Sequence, residues 1–176
     1  MKTNRAGEPL YSEVLENLFM GGTEPSEIIK FPQRLSLLGE PREFDSVATF
    51  FAYAQPMPWF VHEFRFGFED ARVSSEVVDQ VFAIAKWLHS EWKQGKKVLS
   101  RCEMGWNRSG LCLGFVLMLE GYSAQDAVSL IREKRSPDAL NNRHFVLALE
   151  KFFEILKTDR AFATDPNPDV LKKLTA

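Results

Sequence analysis

A chain of 176 residues with 45% hydrophobic content can bury one core of ordinary size, and it is too short for two full catalytic domains. Its formal charge of −2 and pI of about 6.0 exclude the broad basic field that draws proteins onto nucleic acid or anionic membranes, so any anion it binds must be bound locally. The opening residues, MKTNRAGEPLYSE, hold no apolar signal core, the longest apolar run is the nine residues 111–119, and the two cysteines, Cys102 and Cys112, have neither a disulfide-framework nor a zinc spacing.

Residues 14–20 (VLENLFM) and 44–51 (FDSVATFF) are rich in β-branched and aromatic side chains and read as strands, joined by a long Pro/Gly/charge-rich connection over residues 21–43. In VHEFRFGFED, Phe64, Phe66 and Phe68 fall at period two, the pattern of a half-buried strand, and a loop is expected to begin near Asp70. From Ser75 to Lys93 the apolar residues Val77, Val78, Val81, Phe82, Ile84, Ala85, Leu88 and Trp92 follow the 3.6-residue period, with Ser74 or Ser75 as N-cap and Gly95 just past the end. Residues 96–101 predict a short buried strand around Val98 and Leu99. A polar loop follows at Cys102, and an almost wholly apolar helix, hence a core helix, runs from Ser109 to a stop at Gly121. Ser123 with Asp126 marks a capped helix over 124–135, and Phe145, Leu149, Phe152 and Leu156 lie on one face of a helix over 143–157. Residues 1–157 are read as one domain and residues 158–176, with Pro166 and Pro168, as a tail with a short helix near 170–174.

The chemistry concentrates in Ser100-Arg101-Cys102-Glu103-Met104-Gly105-Trp106-Asn107-Arg108-Ser109-Gly110, a predicted strand–loop–helix junction. In such a loop backbone N–H groups converge on an anion, the helix N-terminus adds positive potential, and glycine lets the backbone approach closely. A thiol beside a cation and a helix N-terminus ionises below the value of about 8.5 of free cysteine, which makes Cys102 a candidate nucleophile. Arg108 has the planar donors to grip two phosphoryl oxygens, and no Gly-Lys-Ser/Thr follows, so a Walker-type nucleotide loop is excluded.

Cys102-x-x-Gly105-x-x-Arg108-Ser109 resembles the signature loop of the cysteine-dependent dual-specificity and tyrosine phosphatases, and given one cysteine the pattern arises by chance roughly once in a few thousand. The resemblance covers most of residues 11–156: Leu18-Phe19-Met20-Gly21-Gly22 looks like the family's N-terminal strand and turn, and Asn142-x-x-Phe145 with Leu149 is similar to its last helix. It implies an α/β single domain, a central, mostly parallel twisted sheet of four or five strands flanked by helices, with the loop at the carboxyl end of a strand. It also implies roles: Cys102 as nucleophile, Arg108 and the backbone of Glu103, Met104, Gly105, Trp106 and Asn107 as the phosphate cradle, and Ser109 as the hydroxyl that stabilises the departing thiolate. Phe66-x-Phe68-x-Asp70 resembles the segment presenting the general acid, so Asp70 is the acid candidate, with neighbouring Glu69 as its competitor. No metal or cofactor is implied. A cytoplasmic monomer acting on a phosphorylated protein is expected.

The family usually carries His immediately before the nucleophile, where this chain has Arg101, which could supply compensating charge or point away along the strand. Two other readings stand beside protein dephosphorylation. Gly105-x-Asn107-Arg108-Ser109-Gly110 also looks like the loop of RNA 5′-phosphatases, and phosphoinositides or small phosphoesters fit the same chemistry. A catalytically silent phosphate-binding module is the reading that Arg101 alone suggests. Cys112, within LCLGFVLML, reads as inert core; Met104 and Trp106 pack beneath the loop or line its mouth; and His62, His89 and His144 show no ligand spacing.

Overall fold

The structure, a computed structural model, describes residues 2–27 and 43–162. In chain order the elements are β1 (Tyr11–Leu15), β2 (Leu18–Gly21), β3 (Ser46–Thr49), β4 (His62–Arg65), α1 (Ser75–Lys93), β5 (Val98–Arg101), α2 (Arg108–Leu119), α3 (Ala124–Lys134) and α4 (Arg143–Phe162). The strands form one sheet in the order β1-β2-β5-β3-β4, parallel throughout except for the antiparallel β1–β2 pair. This is the mostly parallel α/β arrangement expected from the sequence.

Residues 14–20 are not one strand. They hold the end of β1, a turn at Glu16-Asn17 and most of β2, with Leu15 paired to Leu18. Asn17 takes φ of 62°, a left-handed conformation that asparagine tolerates, and its N–H is held by the Glu13 carboxylate at 2.8 Å. The Phe64–Phe68 segment departs as well. Ladder pairing covers only residues 62–65 on the sheet edge, and after Phe66 N–H bonds Thr49 O at 2.9 Å the chain continues without a partner strand. Phe64 is 46% exposed, whereas Phe66 and Phe68 pack on the core beyond the strand.

Helix α1 has the bounds its periodicity predicts, with Ser74 as N-cap and Gly95 at φ of 81° beyond its end. Helix α2 is buried from Arg108 to Met118, as an all-round apolar helix requires, and α1, α3 and α4 pack around it. Ser123 caps α3 by accepting the Asp126 N–H. Helix α4 runs five residues past the boundary read at 157, because neither Gly nor Pro interrupts the chain before Pro166. The expected 170–174 helix and most of the 21–43 connection lie outside the described residues, and no described helix is long and apolar enough to cross a membrane.

Strand alternation decides what β5 offers to each face. Val98 joins the helix-side core with Ala48, while Leu99 joins a smaller cluster with Phe44, Val47 and Val61. Cys102 follows the even-numbered side into the helix-packed core, and Arg101 shares the face of Leu99.

Candidate active site

The segment from Cys102 to Asn107 links the carboxyl end of β5 to α2. Its carbonyls are held from outside. Cys102 O accepts from Thr23 Oγ1 at 2.9 Å and Glu103 O from Thr23 N–H at 2.8 Å. Met104 O accepts from Asn4 Nδ2 at 3.0 Å and Arg135 Nη2 at 3.1 Å, Gly105 O from Arg135 Nε at 3.0 Å, and Trp106 O from Leu140 N–H at 3.2 Å. In a trans peptide the C=O and the following N–H point in opposite directions, and no described peptide is cis. Carbonyls of 102 to 106 turned outward therefore turn the N–H groups of 103 to 107 inward, toward Cys102. Gly105 N–H lies 3.3 Å from Cys102 Sγ.

This curl requires Gly105. Its φ is 75°, and a Cβ there would collide with the backbone of Gly21 and Gly22. Gly105→Ala is expected to destabilise the fold by about 2 kcal/mol or more, from the left-handed strain plus the clash, and to lose most activity; thermal unfolding and turnover measured on the same sample check it.

Cys102 is 1% exposed, with the Ser109 hydroxyl 3.3 Å from its sulfur. Arg108 arrives from the first turn of α2, its Nη1 donating to Phe68 O at 3.1 Å and Phe50 O at 3.4 Å, and its guanidinium carbon 5.4 Å from the Phe51 ring centre. Arg108 Nε, among the described residues, is the buried side-chain polar atom without a hydrogen-bond partner, and Nη2 lies 3.7 Å from Glu103 Oε2. The Nε–Nη2 edge thus remains the donor pair for an incoming anion.

Asp70 is brought to the loop by side-chain amides. Its Oδ2 accepts from Asn107 Nδ2 at 3.0 Å and its Oδ1 from Asn142 Nδ2 at 2.9 Å. Asn107 also accepts the Asn142 N–H at 3.1 Å, so its side chain joins the Asp70 segment to the start of α4. The Trp106 indole N–H donates to Glu8 at 2.7 Å, directing its polar edge toward the N-terminal segment behind the loop.

Arg101 is tied down on the other side of the sheet from Cys102. It is 2% exposed, and its guanidinium donates to Thr49 Oγ1 at 2.9 Å, Gln55 O at 2.6 Å and Glu63 Oε1 at 3.1 Å, so Glu63 offsets its charge across the sheet from Cys102. Cys112 is fully buried in α2, and burial pushes its thiol up to about 12. His62 and His89 pair with Glu91 and Glu120 at 3.3 and 2.6 Å. Among the described residues no three His, Cys, Asp or Glu side chains gather as a metal site. Asn4, Glu8, Thr23 and Arg135, which hold the loop from behind, have no local sequence signal because they reach it across 30 to 100 positions of chain; only partnership in space reveals them.

A five-stranded sheet with a cysteine loop at the carboxyl end of its central strand matches known structures. Human DUSP28 aligns with a TM-score of 0.68 at 17% identity, covering 89% of this chain and 99% of that one. The fold is that of the dual-specificity phosphatases. A second solved structure, Tk-PTP in the active form, aligns at a TM-score of 0.64 and 22% identity, covering 83% of this chain and 97% of that one. In sequence the chain is 24% identical over 152 residues to protein 123R of Invertebrate iridescent virus 6, named provisionally a tyrosine phosphatase, which spans 86% of this chain and 97% of the viral one. No family model matches the chain. Within the dual-specificity phosphatase fold, the loop at 102–109 occupies the strand–loop–helix junction that the sequence pattern places there.

Proposed function

We propose that this chain is a phosphomonoester hydrolase of the protein tyrosine/dual-specificity type, acting through a phosphocysteine intermediate. The observation that carries the reading is the loop itself: inward amides, an Arg108 whose buried Nε has no hydrogen-bond partner, and a buried sulfur within 3.3 Å of both an amide and a hydroxyl. In the first step the Cys102 thiolate attacks phosphorus, an S–P bond forms and the P–O bond to the leaving group breaks, while Asp70 gives its proton to the leaving oxygen. Arg108 and the amides of 103 to 107 bind the equatorial oxygens, where charge is spread in the transition state. In the second step water attacks phosphorus, Asp70 takes its proton, the S–P bond breaks and the thiolate returns, with Ser109 Oγ–H donating to it.

The nucleophile has to stay reduced, which suits a cytoplasmic setting. A net charge of −2 gives no long-range pull on RNA, which favours a phosphoprotein over a 5′-triphosphate end. With the thiol reduced, a phosphotyrosyl peptide is expected to exceed a 5′-triphosphorylated oligonucleotide and a phosphoinositide in kcat/KM by about tenfold or more. The reverse ranking refutes the protein assignment, and phosphopeptide binding without turnover of any substrate refutes the enzyme.

A further inference from the structure

The N-terminal segment is folded against the back of the phosphate loop. Residues 2–10 form a closed turn: Leu10 N–H bonds Lys2 O at 3.0 Å, Thr3 bridges Pro9, and Asn4 Oδ1 accepts the N–H groups of Ala6 at 2.9 Å and Glu8 at 3.1 Å. That turn aims Asn4 Nδ2 at Met104 O. Glu8 gathers three donors, with Oε2 accepting from Trp106 Nε1 at 2.7 Å and Asn4 Nδ2 at 3.0 Å, and Oε1 from Ser136 Oγ at 2.6 Å. Arg135, at the end of α3 with a side chain 0% exposed, spans the seam: it donates to Met104 O and Gly105 O on one side, to Pro9 O and Ser12 Oγ on the other, and lies 3.9 Å from Glu8 Oε2.

We propose that Glu8, with Asn4, is a positioning residue of the phosphate loop, acting through Trp106 and Arg135 to keep the loop's carbonyls turned out and so its amides turned onto Cys102. The inference rests on the phosphatase reading and adds to it a part of the chain outside the signature. It also gives a physical account of the residue before the nucleophile: with Arg101 held on the other face by Thr49, Gln55 and Glu63, the ordering of the loop falls to Arg135 and its N-terminal partners.

The charges supporting this brace are consistent with it. Burial pushes the Glu8 carboxyl up, but hydrogen bonds from Ser136, Trp106 and Asn4, with the charge of Arg135, outweigh it and leave Glu8 below its ordinary range. Burial pushes Arg135 down, and the negative charges of Glu8 and of Cys102 oppose that shift. The groups around Cys102 are Arg108 and Ser109 from α2, Glu103 within the loop and its partner Arg5 at 2.7 Å, Arg135 from α3, Glu8 from the N-terminal turn, and Asp70 tied to Asn107.

The test is the pH dependence of iodoacetamide alkylation at Cys102, read by mass spectrometry on the full chain, alongside thermal unfolding. Glu8→Ala is expected to move the alkylation midpoint up by about one pH unit, because loosened amides favour the thiolate less. Glu8→Gln keeps a carbonyl for Trp106 and Asn4 and an amide that Ser136 can accept from, so it recovers most of that shift. Trp106→Phe, which removes one donor to Glu8 and keeps a ring in place, moves the midpoint the same way by a smaller amount and decides the matter should Glu8→Ala not fold. Folded variants whose profiles superimpose on that of the unaltered chain overturn the brace while leaving the phosphatase reading intact. An unaltered chain alkylating with a midpoint near 8.5 overturns the nucleophile reading and the brace with it.

Discussion

Cys102→Ser is expected to lower aryl phosphate hydrolysis on the order of 10⁴-fold or more, with little change in thermal stability. The substitution exchanges sulfur for a smaller oxygen at a site that is 1% exposed, so the core beneath it is hardly disturbed. What changes is charge. A hydroxyl keeps its proton at neutral pH, and amides converging on it have no ionised nucleophile to hold, so no S–P bond can form. The unaltered chain should release a burst of phenol stoichiometric with the protein as the phosphocysteine accumulates, and the variant should release none. A Cys102→Ser protein within tenfold of the original rate would remove the cysteine from the mechanism altogether.

The second large effect belongs to Asp70. Asp70→Asn should slow turnover by about 10²- to 10³-fold for substrates with poorly departing alkoxides, and less for p-nitrophenyl phosphate, whose phenoxide leaves without much help. The sign follows from the role: the donor must hand over a proton as the P–O bond breaks, and an asparagine amide is too weak an acid to supply one. Because asparagine presents one oxygen where Asp70 now accepts at both, the variant also loosens a clamp. Asn142→Ala isolates that part, since it removes the 2.9 Å donor to Asp70 and keeps the acid. It should cost far less rate, and by a similar factor for both kinds of substrate. An Asp70→Asn protein that loses no more rate on poorly departing alkoxides than on p-nitrophenyl phosphate would transfer the acid role elsewhere, with neighbouring Glu69 first in line.

Much of this architecture was legible in the sequence because its signals are local. Helix α1 is set by a run of apolar residues at helical spacing between Ser74 and Gly95, and both ends stand where those residues place them. Helix α2 is apolar on all sides, which fixes its central position before any neighbour is known. The loop from Cys102 to Ser109 is a short pattern, and Cys102, Gly105 and Ser109 of that pattern meet in space around one sulfur.

The rest was hidden for physical reasons. VLENLFM has strand-forming residues on both sides of a turn whose sole mark is Asn17, so composition alone could not divide it into β1 and β2. Phe64, Phe66 and Phe68 keep period two after the ladder has ended, because an extended chain alternates its side chains whether or not a neighbouring strand bonds to it. The fate of Arg101 depended on Glu63, which sits on another strand, 38 positions away. Glu8 and Trp106 are 98 positions apart, and no periodicity or spacing rule links residues at that range.

The carbonyls of the phosphate loop are secured by Asn4, Thr23, Arg135 and Leu140, groups drawn from both ends of the domain. A ribosome that has emitted Cys102 and Arg108 but not yet the stretch around residue 140 has made a segment whose peptides lack the partners that turn them over. The loop can therefore take its folded curl only once nearly the whole domain has emerged.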